Sequence, residues 1–241
     1  MVQRTELDGE LKRLLEPGQF KDYCPNGLQV QGREEINKLV TGVTASRDLL
    51  LAAIEKGADA ILVHHGYFWR NENPCITGMK LERIRLLLES QISLFAYHLP
   101  LDAHPELGNN AQLAKRLGIQ IEGGLEPANP RSIGNIGRVA APIKGQDFAR
   151  IIEQRLKRKP LHVAGTDNLI KRVAWCTGGG QGFIEQAVDA GVDAFITGEA
   201  SEQTVHIARE AGLHFFAACH HATERYGVQA VGNYLAEKFQ I

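Results

Sequence analysis

Three short apolar runs, each ending at a histidine, form the clearest pattern along this chain. Runs of this length, bounded by polar or glycine-containing turns, are typical of buried strands. Ligands of open α/β sheets bind just beyond the carboxyl ends of the strands, so we expect the histidines to gather at one sheet edge. The runs are residues 60–63 before His64 and His65, residues 92–97 before His98, and residues 213–219 before His220 and His221.

Apolar residues at helical spacing predict helices around these runs. Leu7, Leu11, Leu14 and Leu15 fit one face of an N-terminal helix. Pro100 disfavours a helix interior, which predicts a strand end and loop at residues 98–102. The expected N-caps of three later helices are Asn109 or Asn110, Asp147 and Thr223.

The chain repeats itself when it is shifted by 134 positions. Residues 36–40 then lie over residues 170–174, and the segment Gly57-Ala58-Asp59-Ala60 lies over Gly191-Val192-Asp193-Ala194. Both copies read as strand, turn, helix, Gly-Xaa-Asp-Ala and strand, which predicts a βαβ unit with a right-handed crossover. His64-His65 in the first copy corresponds to Gly198-Glu199 in the second.

A second shift, by 122, places residues 94–98 over residues 216–220 and Asp102 over Glu224. We therefore predict an α/β fold of two duplicated halves that face each other. The metal site would lie at the carboxyl ends of the strands, in the crevice between the halves. The expected boundaries are residues 1–126, with the N-terminal helix, and residues 127–241, with a short insert at 127–169. The alternative is that the match arose by chance.

Composition limits the class of protein. A length of 241 residues with 44% hydrophobic residues supports a buried core in one large or two small domains. The net charge of −1 gives no global attraction to nucleic acid or to an anionic membrane. Four scattered cysteines without a CxxC pair, and no apolar segment of the length that signals or spans need, predict a cytoplasmic protein.

Imidazoles and carboxylates in this arrangement are typical of sites for divalent metals. Adjacent side chains on a strand point to opposite faces, so His64 and His65 reach one site only if the chain leaves the strand, as Gly66 allows. Alternatively, one histidine is buried and the other exposed. The candidate ligands are His64, His65, His98, Asp102, His220 and Glu224.

Two further residues are candidates for moving protons or orienting ligands. Glu199 follows the second copy's strand as His65 follows the first, and it would act as a general base or support a ligand. His221 is a substrate-facing candidate. The run Gly178-Gly179-Gly180 resembles an anion-binding loop only weakly, because it matches neither dinucleotide- nor triphosphate-binding motifs.

The segments 60–69, 98–110 and 198–225 resemble the NIF-three-like family, whose members are also called GTP cyclohydrolase 1 type 2 homologues. The resemblance covers essentially the whole chain. It implies a two-metal site on His64, His65, Asp102, His220 and Glu224, with His98 as a further candidate. It also implies a toroidal homohexamer with its sites facing the interior.

The leading hypothesis is a metal-dependent hydrolase of a nucleotide or phosphoester, in which two ions polarise a substrate oxygen and acidify a water. The family name suggests hydrolytic opening of the purine ring of GTP, but fold and family do not fix a substrate. The alternative is a non-enzymatic metal-binding or metal-carrier ring. A ring around single-stranded nucleic acid has little support from the balanced charge. Fe, Zn and Mn suit the mixed nitrogen and oxygen ligands about equally.

Overall fold

In the computed structural model, which describes residues 1–241, the chain forms two compact units. The first unit consists of Met1–Leu101 and Gly227–Ile241, and the second of Asp102–Tyr226. These limits differ from the expected division after residue 126. The strand Ile119–Gly124 pairs with Asn135–Ile143, so residues on both sides of the expected boundary belong to one sheet.

The first unit is built on a four-stranded sheet with the order β2-β6-β5-β4. Strands β4, β5 and β6 are parallel, and β2 is an antiparallel edge strand. Residues 60–63 are fully buried, as expected of a central strand covered on both faces. Its elements are β1 (Val2–Gln3), α1 (Arg4–Leu15), β2 (Gly27–Val30), β3 (Glu35–Ile36), β4 (Leu39–Thr44), α2 (Arg47–Glu55), β5 (Ala60–His65), α3 (Gly78–Glu89) and β6 (Ser93–Ala96).

The second unit is built on a six-stranded sheet with the order β7-β8-β10-β11-β12-β9, in which β10, β11 and β12 are parallel. Two helices, α4 (Leu99–Ala103) and α9 (His220–Phe239), each contain a unit boundary. The other elements are α5 (Asn109–Leu117), β7 (Ile119–Gly124), β8 (Asn135–Ile143), α6 (Gly145–Leu156), β9 (Leu161–Val163), β10 (Ile170–Trp175), α7 (Ile184–Asp189), β11 (Ala194–Thr197), α8 (Glu202–Glu210) and β12 (His214–Ala217).

Four strands of each sheet share one order and register. Leu39 pairs with Ala60 as Val173 pairs with Ala194, 134 residues later in both strands. The third parallel strand follows with a spacing of 121, because Ser93 takes the position of His214 beside the second strand. The sequence match at 122 aligned histidine with histidine and was wrong by one residue, since the strand pairing places His98 level with Cys219.

The aspartates of the matched Gly-Xaa-Asp segments accept the same pair of backbone hydrogen bonds in both units. Asp59 Oδ2 accepts from the backbone N–H groups of Asn37 and Lys38 at 2.8 and 3.0 Å. Asp193 Oδ2 accepts from Lys171 and Arg172, both at 2.8 Å. Each aspartate thus fixes the start of one parallel strand from the turn that leads into the next.

Several helix starts differ from expectation. Asp102 lies in the short helix α4, which tolerates Pro100 because the proline stands in the first turn. Helix α5 has Gly108 at its N-cap. Helix α6 has Lys144 there, so Asp147 lies in the first turn. Helix α9 already begins at His220, three residues before Thr223. None of the helices is both long and apolar enough to cross a bilayer.

Candidate metal centre

Three imidazoles meet at the carboxyl ends of β5 and β6 in the first unit. One ring nitrogen each of His64, His65 and His98 lies within 4.8 Å of the other two. The ring centroids are 4.4 Å apart for His64 and His65 and 5.1 Å apart for His64 and His98. Parallel pairing of β5 with β6 brings these strand ends together, as the apolar runs predicted.

The turn after His65 has no room for a side chain. A Cβ atom at Gly66 would overlap the side-chain amide of Gln29 and the Cβ of Ala96. Gln29 Oε1 instead accepts from the Tyr67 N–H at 2.7 Å, and its amide nitrogen donates to the Tyr67 carbonyl. This packing fixes the path by which the chain leaves β5 directly after the two histidines.

Each of the three rings is held through its Nδ1 atom. His64 Nδ1 lies 3.0 Å from the Tyr97 carbonyl, which only accepts, so Nδ1 carries the hydrogen. His98 Nδ1 lies 2.7 Å from Asp22 Oδ1, and His65 Nδ1 lies 3.1 Å from Thr44 Oγ1. Donation from Nδ1 makes Nε2 the lone-pair nitrogen of His64 and His98, which is the form that binds a metal.

Asp22 orients His98 and was missed by the sequence analysis. Its carboxylate accepts from His98 Nδ1, from Asn26 Nδ2 at 2.8 Å and from the backbone N–H groups of Tyr23 and Leu99 at 2.6 and 2.9 Å. Burial alone would raise the pKa of Asp22, but the hydrogen bonds from His98 and Asn26 lower it below its usual value. The group therefore stays a carboxylate and holds the ring by a charge-assisted bond.

Cys24 and two aromatic rings lie beside His98. Burial raises the pKa of the Cys24 thiol to about 12, so the thiol is protonated at neutral pH when no metal is bound. The Trp69 ring meets the His98 ring edge-on at a centroid distance of 5.0 Å, and the Tyr23 ring does so at 6.2 Å. The aromatic rings thus line one side of the imidazole cluster.

Two carboxylates approach each other in the second unit. One oxygen of Asp102 and one of Glu224 lie within 4.8 Å of each other. Both side chains are buried. Asp102 Oδ1 accepts from Asn109 Nδ2 at 2.9 Å and from Thr177 Oγ1 at 3.2 Å, so the asparagine expected to cap α5 instead orients a candidate ligand.

His220 lies between two carboxylates. Its Nδ1 is 2.6 Å from Glu199 Oε1, and its Nε2 is 3.1 Å from Glu224 Oε2. The hydrogen bonds that His220 donates to Glu224 and then to Glu199 raise the pKa of His220 to about 9, although burial acts in the opposite direction. Glu199 thus holds the ring so that Nε2 faces Glu224, an arrangement typical of a carboxylate that supports a metal-binding histidine.

The glycine run packs against this group. Gly178 has a φ of +66°, and a Cβ atom there would overlap Glu224 Oε1. Its N–H donates to Thr223 Oγ1 at 3.0 Å, so the expected N-cap residue anchors this loop. The steric requirement at position 178 accounts for that glycine without any phosphate.

Other histidines have different surroundings. His221 is exposed on the first turn of α9. His104 Nδ1 accepts from the N–H groups of Glu106 and Leu107 and so stabilises a turn. His162 and His214 pair with each other, with Nε2 and Nδ1 3.1 Å apart.

The donor set fits divalent metals. Nitrogen and oxygen ligands without thiolate suit Fe, Mn and Zn, and buried carboxylates favour a bound cation. His64 and the Asp102–Glu224 pair are buried. The fold and these two groups define an α/β protein with candidate metal-binding residues.

The family model for Duf34/NIF3 (NGG1p interacting factor 3) matches residues 2–241, so the chain belongs to this family. It is 60% identical over 238 residues to a "GTP cyclohydrolase 1 type 2 homolog" from Pseudomonas aeruginosa, covering 98% of this chain and 94% of that protein. Among solved structures, "protein ybgI, unknown function" is 54% identical with a TM-score of 0.93, covering 98% and 94% of the two chains. Protein TTHA1606 from Thermus thermophilus is 32% identical with a TM-score of 0.90, covering 99% and 95%.

Proposed function

We propose that this protein binds two divalent metal ions and uses them to hydrolyse a nucleotide or a phosphoester. The observation that carries the proposal is the cluster of His64, His65 and His98, whose three rings each contact a protein oxygen atom through Nδ1. Structural histidines have no need of such a shared orientation. Preorganised rings of this kind are typical of metal ligands.

The second unit supplies the charge that two cations require. Asp102, His220 and Glu224 are the ligands that we propose in the second unit, and their two carboxylates would offset much of the positive charge. Bound divalent ions supply Lewis acidity, which polarises a carbonyl or phosphoryl oxygen of a substrate. Glu199 holds His220 Nδ1, which supports a positioning role, while His221 is the exposed group proposed to transfer protons.

The substrate proposal rests on the names of the relatives. Similar proteins are called GTP cyclohydrolase 1 type 2 homologues, which makes purine nucleotides the first substrates to test. The toroidal homohexamer implied by the family resemblance belongs to the same proposal. Light scattering on the purified protein would test that assembly independently of any activity.

Metal content is the first test. Elemental analysis after mild purification and reconstitution should give close to two Fe, Mn or Zn equivalents per chain. The variant Glu224→Gln keeps the shape but loses one negative charge, so its metal content should fall. The control variants are His206→Gln, on the exposed face of α8, and His104→Ala, and both should keep wild-type metal. Metal content near zero in the reconstituted wild type would overturn the proposal.

Activity is the second test. The metal-loaded protein is assayed against purine nucleotides, guanosine and simple phosphoesters, with base opening followed by the ultraviolet spectrum and ester cleavage by released phosphate. We expect turnover in the wild type and in His206→Gln, and none in Glu224→Gln. Two bound metals without turnover of any substrate would favour the metal-carrier alternative instead.

A further inference from the structure

The C-terminal ends of α5 and α6 enclose a basic groove of about 700 Å³ in the second unit. Four of its lining residues are cations, two are glutamines and none is a carboxylate. We call this feature the α5–α6 groove, and its lining residues are Gln112, Lys115, Arg116, Leu117, Gly118, Ile151, Gln154, Arg155 and Lys157.

None of the four cations is held by a hydrogen bond to a carbonyl at the end of α5 or α6. A helix C-terminus attracts cations, which would account for Lys157, Arg158 and Lys159 at the end of α6. However, the Leu156 carbonyl already accepts from the Arg225 guanidinium, and the Lys157 N–H bonds to the Glu153 carbonyl. The Gly118 N–H likewise bonds to the Ala114 carbonyl at the end of α5.

The groove's cations are available to a ligand. Lys115, Arg116, Arg155 and Lys157 are exposed and form no ion pair with a carboxylate. The Arg116 guanidinium lies over the Tyr226 ring, 4.3 Å from its centroid, which restricts its position. Four unneutralised cations in one concave surface are unexpected in a chain of net charge −1, and they create a local positive potential.

The lining of the groove fits a small phosphate-containing anion better than single-stranded nucleic acid. Proteins that bind single strands stack the bases on aromatic side chains, and the groove presents none. The face of the nearby Tyr226 ring is covered by Arg116. Guanidinium and ammonium groups only donate hydrogen bonds, and the glutamine amides add further N–H donors. The oxygen atoms of a phosphate chain accept hydrogen bonds, so the lining complements them.

We propose that the α5–α6 groove binds the polyphosphate chain of a small anion, either free or as part of a nucleoside triphosphate. This binding site is independent of the proposed metal centre, because none of its lining residues is a candidate metal ligand. The groove would recognise the anion by its charge and phosphate oxygens rather than by a base. Binding is therefore expected to weaken as salt rises.

The test is calorimetric titration with sodium tripolyphosphate, GTP and guanosine in buffer without free divalent ions. Tripolyphosphate and GTP should bind and guanosine should not. In the double variant Arg155→Gln/Lys157→Gln, both dissociation constants should rise about tenfold or more. The matched control, Lys21→Gln/Arg47→Gln, loses the same two charge types from exposed positions of the first unit and should stay within about twofold of wild type.

Hydrogen exchange gives a second readout, because bound tripolyphosphate should protect peptides from the lining segments 112–118 and 151–157. Equal affinity in the groove variant and the control would overturn the proposal. So would binding of guanosine as tight as that of GTP, or binding of a single-stranded oligonucleotide without binding of tripolyphosphate. Metal content measured on the same variants should equal that of the wild type, so failure here is separate from failure of the metal centre.

Discussion

At the scale of single residues, Asp22 fixes the orientation of His98. The variant Asp22→Asn removes the negative charge that accepts from His98 Nδ1. We expect the affinity for Zn²⁺ to fall roughly 10- to 100-fold, as losses of such supporting carboxylates do. Competition with a chromogenic chelator measures the affinity, and ¹⁵N spectra of the metal-free protein report whether the Nδ1–H tautomer is lost.

The control for Asp22 is Asp48→Asn, an exposed carboxylate in the first turn of α2. It should leave both the affinity and the His98 tautomer unchanged. An Asp22→Asn protein with wild-type Zn²⁺ affinity would show that His98 needs no carboxylate for metal binding, and would remove Asp22 from the proposed centre.

Gly178 gives a second prediction at this scale. Gly178→Ala places a Cβ against Glu224 and forces a non-glycine residue to a φ of +66°. We expect a loss of about 1–3 kcal/mol in the free energy of unfolding, together with reduced metal content. Gly182→Ala is the control, because nothing lies within 4 Å of its added Cβ. Chemical denaturation and elemental analysis check both, and equal behaviour of the two variants would contradict the steric role.

Single residues also show why the sequence located only part of the candidate site. His64, His65 and His98 were found because each directly follows a buried apolar run. Asp22 was not, because it lies 76 positions before His98 and next to a turn with no periodic pattern. Its role depends on a contact that only the folded chain creates.

At the scale of elements, the parallel strands of the two sheets donate equivalent hydrogen bonds to Asp59 and Asp193. We propose that they descend from one duplicated unit, which the shared strand order and register support. The match between the two segments could be read from the sequence because the aspartate of Gly-Xaa-Asp-Ala has the same structural role in both. The one-residue error in the third strand arose because identical residues, rather than paired strands, were aligned.

The equivalence predicts similar losses when either aspartate is changed. Asp59→Asn and Asp193→Asn each weaken two bonds from backbone N–H groups, so each should lower the free energy of unfolding by roughly 1–3 kcal/mol. Asp59 also pairs with Arg33 Nη1 at 2.8 Å, but that guanidinium is exposed, so the ion pair adds little. Metal content should not change, because neither residue is a candidate ligand. Asp189→Asn, exposed at the end of α7, is the control. Urea denaturation measures all three, and a loss confined to one of the two matched sites would speak against equivalent roles.

Helix starts were the least predictable elements. Asn109 and Thr223 have typical N-cap side chains, yet they bind Asp102 and the Gly178 N–H respectively. Capping preference is a local tendency, and tertiary contacts at the candidate centre override it. Asn109 thus positions the Asp102 carboxylate, and Thr223 anchors the glycine loop that packs against Glu224.

At the scale of the whole molecule, the two ends of the chain belong to one unit. Tyr234 of α9 donates to Glu10 of α1 at 2.5 Å, across a separation of 224 residues. Lys238 lies 3.3 Å from the same carboxylate. No local pattern predicts a contact of this range, which is why the expected boundaries assigned the last helix to the second half.

This junction gives the chain a pH-dependent stability. A hydrogen bond from Arg13, with support from Tyr234 and Lys238, lowers the pKa of Glu10 from 4.5 to about 2, although burial opposes the shift. Because the pKa in the folded state is depressed, the stabilisation is fully present above pH 4.5 and is lost as the pH falls through 2.

We expect Glu10→Gln to lower the free energy of unfolding by about 1–2 kcal/mol at pH 7, since its cationic partners are half-exposed and screened by solvent. Urea denaturation at pH 7, 5, 4 and 3 should show the difference from wild type shrinking at the acidic end, whereas Glu6→Gln, exposed on the same helix, should differ little at any pH. A difference that stays constant from pH 7 to 3 would mean that Glu10 stabilises the junction by packing rather than by its charge.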